Sequence, residues 1–189
     1  MKTLYLCGIF FLLASVFGLQ AAPEKAPAAP AQKEKVELFD WAKFFPSGIM
    51  KARQKSSTAS VKNLAVLKGK FVILYHSANW CTHCHRFTPE LIRFYKKNRK
   101  TTEVVFQSGD NSEKAMEEYA KSHKMPWYAL PYGKKINNSN AIAMAYPCAI
   151  VYSPDGQFFY NILGGPKASP DPRLKELEDK IRAWQKNHP

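Results

Sequence analysis

The sequence has few cysteines, few acidic residues and only one long apolar run. Four cysteines in 189 residues are too few for a disulfide scaffold, and a chain of this length can bury enough apolar surface to fold without one. The 15 Asp and Glu residues are outnumbered by 28 Lys and Arg, so the formal net charge is +13. The basic residues are scattered and form no basic helix, so we expect a solvated basic surface and no nucleic-acid partner.

The long apolar run stands at the N-terminus. Lys2 is the only charged residue before Glu24, and Ala21 and Ala22 follow the apolar run over residues 4–19. This pattern predicts a signal peptide over residues 1–21. The run is shorter than the ~20 residues that span a bilayer, which favours a cleaved signal peptide. An uncleaved anchor is the alternative, and only in that case do we expect membrane contact. We therefore expect secretion across the inner or plasma membrane, into the periplasm if the host is Gram-negative.

The composition changes twice after the predicted signal peptide. Residues 22–36 are almost entirely Ala, Pro, Lys, Glu and Gln, a composition that buries no core and indicates a disordered tether. Aromatic and aliphatic residues then appear in quick succession, which predicts that one folded domain occupies residues 37–189. The domain contains no further run that is apolar and long enough to cross a membrane.

The domain reads as alternating strands and helices, followed by a hairpin and a last helix. A short amphipathic helix is predicted near residues 38–45 and a brief strand over 49–53, with a polar turn at 55–60. Buried strands are predicted at 71–75 and 104–107, a helix after each of them, hairpin strands at 149–152 and 158–162, and a last helix from Asp171. A βαβ unit followed by a ββα unit predicts an α/β fold in which helices sandwich a central mixed β-sheet.

Cys81 and Cys84 are three residues apart where a predicted strand passes into a helix. At this spacing both thiols face the same side of the first helical turn, and a helix N-terminus stabilises a thiolate. We expect Cys81 to be the exposed nucleophile and Cys84 to resolve a mixed disulfide. Thr82 and His83 lie between them, and His83 either donates to the Cys81 thiolate, which makes the pair more oxidising, or points into solvent. No cofactor is expected besides the disulfide itself.

Three motifs in the expected order carry a resemblance to a known family. The segment Trp80–Cys84 resembles the WCxxC site of the thioredoxin-like superfamily, and Pro89 matches the proline of that family's active-site helix. The segments Phe87–Leu91 and Lys124–Trp127 are similar to the tryparedoxin and nucleoredoxin branch. The resemblance covers about residues 38–186 and implies a thioredoxin-like fold.

The resemblance also implies a substrate-binding loop. Tyr146-Pro147 fits the family's cis-proline loop, whose backbone pairs with the substrate chain; a trans turn is the alternative. Tyr75 stands where thioredoxin has a buried acid, so the proton acceptor for Cys84 is left open. The implied function is an exported thiol–disulfide oxidoreductase that reduces or exchanges disulfides in other exported proteins. We expect a monomer that is recycled by a separate redox partner.

Several alternatives compete for the same residues. One alternative keeps the fold but makes it a non-catalytic binding module, and Cys81 to His85 also reads as C-x-x-C-H, the c-type haem attachment motif. Zinc binding by this cluster lacks the usual second ligand pair, so no metal is expected. Cys148 is interpreted as a small buried hydrophobe, with a third active thiol as the alternative. His76, His123 and His188 show no spacing that suggests a site, and Asn137 begins a glycosylation sequon if the host is eukaryotic.

Overall fold

The computed structural model describes residues 39–55, 64–138 and 145–188. The predicted signal peptide and tether, and most of the predicted polar turn, lie outside the described residues. The described elements are α1 (Trp41–Phe44), β1 (Met50–Lys51), a 3-10 helix (Leu64–Leu67), β2 (Phe71–Ser77), α2 (Thr82–Asn98), β3 (Thr102–Ser108), α3 (Glu113–Ser122), β4 (Tyr128–Ala129), β5 (Cys148–Tyr152), β6 (Phe158–Leu163) and α4 (Pro172–Asn187).

The strands form one six-stranded mixed sheet in the order β1-β4-β3-β2-β5-β6. Strand β2 pairs parallel with β3 and antiparallel with β5, while β3 pairs parallel with β4. Because right-handed crossovers join β2 to β3 and β3 to β4 in one direction, α2 and α3 lie on the same face of the sheet. The predicted βαβ unit, the antiparallel β5–β6 hairpin and the mixed sheet are confirmed.

The alternation of side chains along the central strands separates two hydrophobic cores. The site-side core lies under α2, α3 and α4. Its main members are Phe71, Ile73, Tyr75, Val104, Phe106, Ala149, Val151, Cys84, Phe87, Leu91, Met116, Tyr119, Leu174, Leu177 and Ile181. The aromatic core lies on the opposite face, under α1 and the 3-10 helix. Its main members are Trp41, Phe44, Phe45, Leu67, Val72, Leu74, Val105, Cys148, Ile150 and Tyr152.

Local capping sets where the helices begin. The Ser112 hydroxyl accepts from Ala115 N–H at the start of α3, and Asp171 accepts from Arg173 N–H at the start of α4, as the cap pattern predicts. Pro172 occupies the first turn of α4, where its missing N–H costs nothing. Helix α1 and strand β1 are shorter than predicted, and β4 was not predicted at all.

Within the described ranges, no helix is both long and apolar enough to span a membrane. The longest is α2, at 17 residues, and it is amphipathic with its buried side turned to the site-side core. Two X–Pro bonds are cis, Tyr146–Pro147 and Ser169–Pro170. The first was predicted from the resemblance and is confirmed.

Candidate active site

The two cysteines occupy the first turn of α2, directly after β2. Cys81 is the N-cap residue, and its sulfur accepts a hydrogen bond from Cys84 N–H with an N···Sγ distance of 3.1 Å. The two sulfurs form a disulfide, and their Cα atoms are 5.1 Å apart. Cys81 is less exposed than predicted: it keeps only 6% of its surface exposed, whereas Cys84 has none. On reduction, the Cys81 thiolate would keep this N–H donor and the positive end of the α2 dipole.

His83 is held on the outer side of this turn by two neighbours. Its Nδ1 lies 2.6 Å from a guanidinium nitrogen of Arg86. A guanidinium has only donors, so Nδ1 accepts this bond and the ring proton sits on Nε2. The ring also abuts Gly165, where an added Cβ would come within 2.7 Å of Nδ1. His83 therefore hydrogen-bonds with Arg86. That His83 tunes the Cys81 thiolate stays a prediction.

Arg173 fixes the backbone that abuts His83. Its guanidinium donates to the carbonyl oxygens of Leu163 and Gly165 at 2.7 and 2.8 Å. It also makes a bidentate pair with Asp171, at 2.9 and 2.6 Å. Burial raises the pKa of Asp171, but the hydrogen bonds and charge of Arg173 outweigh burial and lower it overall. This clamp ties the loop after β6 to the start of α4.

A second wall of the site is aromatic. Trp80 is 61% exposed, and its Nε1 donates to the Gly109 carbonyl at 3.0 Å. Its ring meets the Tyr146 ring edge-on with centroids 5.4 Å apart. Tyr146 in turn lies over Gly109, where an added Cβ would come within 2.5 Å of its hydroxyl oxygen. The ledge formed by Trp80, Tyr146 and buried cis Pro147 therefore depends on a residue without a side chain at position 109.

Four hydroxyls form a closed ring beneath the cysteine pair. Tyr75 Oη contacts Thr88 Oγ1 at 2.8 Å, Thr88 Oγ1 contacts Tyr119 Oη at 2.5 Å, and Tyr119 Oη contacts Ser77 Oγ at 2.8 Å. Ser77 Oγ closes the ring by donating to Tyr75 Oη at 2.9 Å. Thr88 also donates to the Cys84 carbonyl at 2.9 Å. We call these four residues the hydroxyl ring.

The hydroxyl ring has one proton fewer than it has contacts. Four hydroxyls carry four protons, and Thr88 gives one of them to the Cys84 carbonyl, so three protons remain for the four contacts of the ring. Burial, and next the charge of Tyr119, raise the pKa of Tyr75 well above its usual value, and burial also raises that of Tyr119. The ring therefore stays neutral where thioredoxin carries a buried acid.

His85 and His123 form a pair that the sequence pattern did not indicate. His85 Nδ1 lies 2.8 Å from His123 Nε2, and His85 Nε2 donates to the Asn79 carbonyl at 2.6 Å. Burial, and next the charge of His85, lower the pKa of His123. Because both ring nitrogens of His85 are engaged, axial haem ligation would have to break one of these bonds. In the described part of the chain, no group of three or more His, Cys, Asp and Glu is placed to hold a metal ion.

Cys148 faces away from the cysteine pair. It belongs to the aromatic core, while Cys84 belongs to the site-side core on the other face of the sheet. It is a free thiol with 1% of its surface exposed, and burial raises its pKa to about 11. The interpretation of Cys148 as a small buried hydrophobe is confirmed, and the sheet separates it from the site.

A disulfide whose first cysteine is the N-cap of a helix, beside a cis-proline loop and on a mixed sheet of this topology, defines a thioredoxin-like redox domain. The chain belongs to the thioredoxin-like family, whose family model matches residues 69–158. The resemblance inferred from the WCxxC segment and Pro89 is thereby confirmed. Pro89 lies inside α2, as that resemblance implies.

Individual relatives come from the expected branch. The chain is 42% identical over 96 residues to a tryparedoxin of Trypanosoma brucei brucei, covering 50% of this chain and 62% of that protein. It is 33% identical over 137 residues to probable nucleoredoxin 1 of Arabidopsis thaliana, covering 65% of this chain and 23% of that protein. The solved tryparedoxin II from C. fasciculata superposes with a TM-score of 0.51 at 30% identity, covering 63% of this chain and 81% of that one. The chain thus spans less than two thirds of both curated relatives.

Proposed function

We propose that this protein is an exported thiol–disulfide oxidoreductase that reduces or exchanges disulfides in other exported proteins. The observation that carries the proposal is the first turn of α2, where the Cys81 sulfur accepts the Cys84 N–H and only Cys81 retains exposed surface. That geometry supports a stable thiolate on the accessible cysteine and a protected partner one turn deeper. The thioredoxin-like family supplies the reaction class.

The reaction transfers two electrons from the dithiol to a substrate disulfide. The Cys81 thiolate attacks one substrate sulfur, forms a mixed disulfide and releases the other substrate sulfur as a thiolate. That thiolate takes the thiol proton of Cys84, and the Cys84 sulfur attacks the Cys81 sulfur. The second substrate sulfur leaves as a thiolate and the Cys81–Cys84 disulfide forms. A separate dithiol donor must then reduce this disulfide before another turnover.

The surroundings supply positioning rather than a buried base. Thr88 holds the Cys84 carbonyl, and the hydroxyl ring stays neutral because burial raises the tyrosine pKa values. The ring therefore offers no carboxylate to take the Cys84 proton, and the substrate thiolate released in the first step serves as the acceptor. Trp80, Tyr146 and Pro147 form the ledge on which the substrate backbone would lie.

A single-turnover assay tests the chemistry. The reduced protein is mixed with a small neutral disulfide, and the free thiols are followed by alkylation and mass. We expect one substrate disulfide to be reduced for each Cys81–Cys84 disulfide formed. Cys84→Ser should stop at a mixed disulfide on Cys81, whereas Cys81→Ser should form none. A rate equal to that of Cys81→Ser in the unaltered protein would instead support the non-catalytic binding module.

Export rests on the sequence alone and has its own test. The full chain is expressed, the cells are fractionated, and the intact mass of the recovered protein is measured. We expect a protein shortened by about the predicted 21 residues outside the inner membrane. A full-length mass in the membrane fraction would indicate an uncleaved anchor, and a full-length protein in the cytosol would contradict export.

A further inference from the structure

The side of the dithiol that faces α4 carries exposed cations. Arg86 is exposed one turn along α2, and its contact with His83 Nδ1 fixes the guanidinium beside the residues between the cysteines. Gly165 abuts the same His83 ring, and exposed Lys167 follows two residues later on that loop. Two independent elements, α2 and the loop after β6, thus bring positive charge to one rim of the site.

The carboxylates that hold the site together are buried and already engaged. Asp171 is paired with Arg173, and Glu90 is paired with Arg93 and accepts from Ser169. Asp110 accepts from Asn79 N–H and Ser108 Oγ–H at 2.7 Å each. These three residues are at most 8% exposed. Glu113, in the first turn of α3, is half-buried.

The exposed charge of this rim is therefore positive, because its cations are exposed while the neighbouring carboxylates are buried. Arg86 and Lys167 have no carboxylate partner among the ion pairs of the described residues. Resting on the function proposed above, we infer that the site selects protein disulfides with Asp or Glu next to the attacked cysteine. The acidic side chain of the substrate pairs with Arg86 and Lys167, while the substrate backbone lies on the ledge of Trp80, Tyr146 and Pro147.

Matched peptide disulfides test this selectivity. Three disulfide-containing peptides of equal length have Asp, Ser or Lys as the residues on both sides of each cysteine. The reduced protein is mixed with each peptide at low ionic strength. We expect Asp to react about threefold to fivefold faster than Ser, and Lys to react more slowly than Ser. The preference should disappear near 1 M salt, where the Debye length falls to about 3 Å.

Two variants assign the preference to the rim. Arg86→Gln and Lys167→Gln should each lower the Asp-to-Ser rate ratio toward one. Arg99→Gln is the matched control: it removes an exposed arginine from the same helix, about 20 Å further along its axis, and should leave the ratio unchanged. The inference would be overturned if the Asp-to-Ser rate ratio were the same in Arg86→Gln, Lys167→Gln and Arg99→Gln. A faster reaction of the Lys peptide than of the Asp peptide would overturn it as well.

The Ser peptide separates this inference from the function on which it rests. Turnover of the Ser peptide without any preference for Asp means that the selectivity is wrong and the redox function stands. No turnover of any peptide by the reduced protein would mean that the proposed function itself is wrong.

Discussion

Cys84 and Cys148 are two equally buried cysteines in opposite environments. They have 0% and 1% of their surface exposed, yet Cys84 is bonded to Cys81 in a helix turn whereas Cys148 is a free thiol within a strand. Cys84 lies over hydrogen-bonding hydroxyls, and Cys148 lies among aromatic rings. Burial alone therefore does not decide which cysteine forms a disulfide; the decisive features are a second sulfur one turn away and a nearby helix N-terminus.

The largest expected effect is on the rate of disulfide exchange, which should depend on the Cys81–Cys84 pair and not on Cys148. Cys81→Ser should reduce disulfide exchange to the uncatalysed rate, because the accessible thiolate is lost. Cys148→Ala should leave the exchange rate unchanged, because that thiol lies on the other face of the sheet. Both rates are measured with the same neutral disulfide. A loss of activity in Cys148→Ala without a loss of folded protein would contradict the separation of the two sides.

The hydroxyl ring supplies the next prediction. Thr88→Val removes the donor to the Cys84 carbonyl and leaves Tyr75 with a buried O–H that has no acceptor in the ring, so it should cost about 1–3 kcal/mol of unfolding free energy. Tyr119→Phe leaves three hydroxyls with three protons for three contacts, from Ser77 to Tyr75 to Thr88 to the Cys84 carbonyl. It should therefore cost less than about 1 kcal/mol.

Urea denaturation of the oxidised protein measures both variants of the hydroxyl ring. Ser122→Ala, which removes a hydroxyl that donates to the Tyr119 carbonyl at the end of α3, serves as the reference for a single hydroxyl outside the ring. A larger loss for Tyr119→Phe than for Thr88→Val would contradict the proton count.

The buried Cys148 thiol should lower the free energy of unfolding at alkaline pH. Burial raises its pKa to about 11, whereas an unfolded thiol ionises near about 8.5. The folded state therefore holds its proton while the unfolded state loses it, so stability falls as pH rises from about 8.5 toward 11. Between pH 8 and 10 the unaltered protein should lose about 1–2 kcal/mol more than Cys148→Ala. Parallel stability curves for the two proteins would show that the thiol is not protected.

The smallest expected effect concerns His83. Gly165→Ala would bring a Cβ within 2.7 Å of Nδ1 and displace the ring from its place beside Arg86. If the freed imidazole then donates to the Cys81 thiolate, the reduced form is stabilised and the reduction potential should rise by no more than about 30 mV. The double variant Gly165→Ala with His83→Ala should not show this rise. An equal rise in both variants would mean that His83 has no part in it.

The fold was readable from the sequence where residues repeat a simple pattern. Phe71 to Tyr75 form a continuous apolar run and Leu174, Leu177, Ile181 and Trp184 form a helical stripe, and each lies in the expected element. The two-residue strands β1 and β4 carry too few residues for a recognisable period. Their pairing with each other is a tertiary event, in which Met50 lies opposite Ala129.

The cysteine pair and the cis-proline were predictable because they are encoded by short local motifs. The hydroxyl ring was not, because its four members come from β2, α2 and α3, and its contacts join residues as far as 42 positions apart in sequence. Tyr75 and Ser77 also read as ordinary strand residues. The contact of Arg86 with His83 could have been predicted, because the two residues are three apart on a helix. The packing of the His83 ring against Gly165 could not, because Gly165 is distant in sequence.

We expect Cys81 and Cys84 to form an exchanging redox pair rather than a structural disulfide. The most direct measurement equilibrates the protein in glutathione or dithiothreitol buffers and reads the thiols by alkylation and mass. We predict a single two-electron transition confined to Cys81 and Cys84, at about −270 to −230 mV if the protein is a reductase and nearer −120 mV if it is an oxidant. Cys148 should stay unpaired throughout. A reduction potential below about −300 mV would be typical of a structural disulfide and would contradict an exchanging pair.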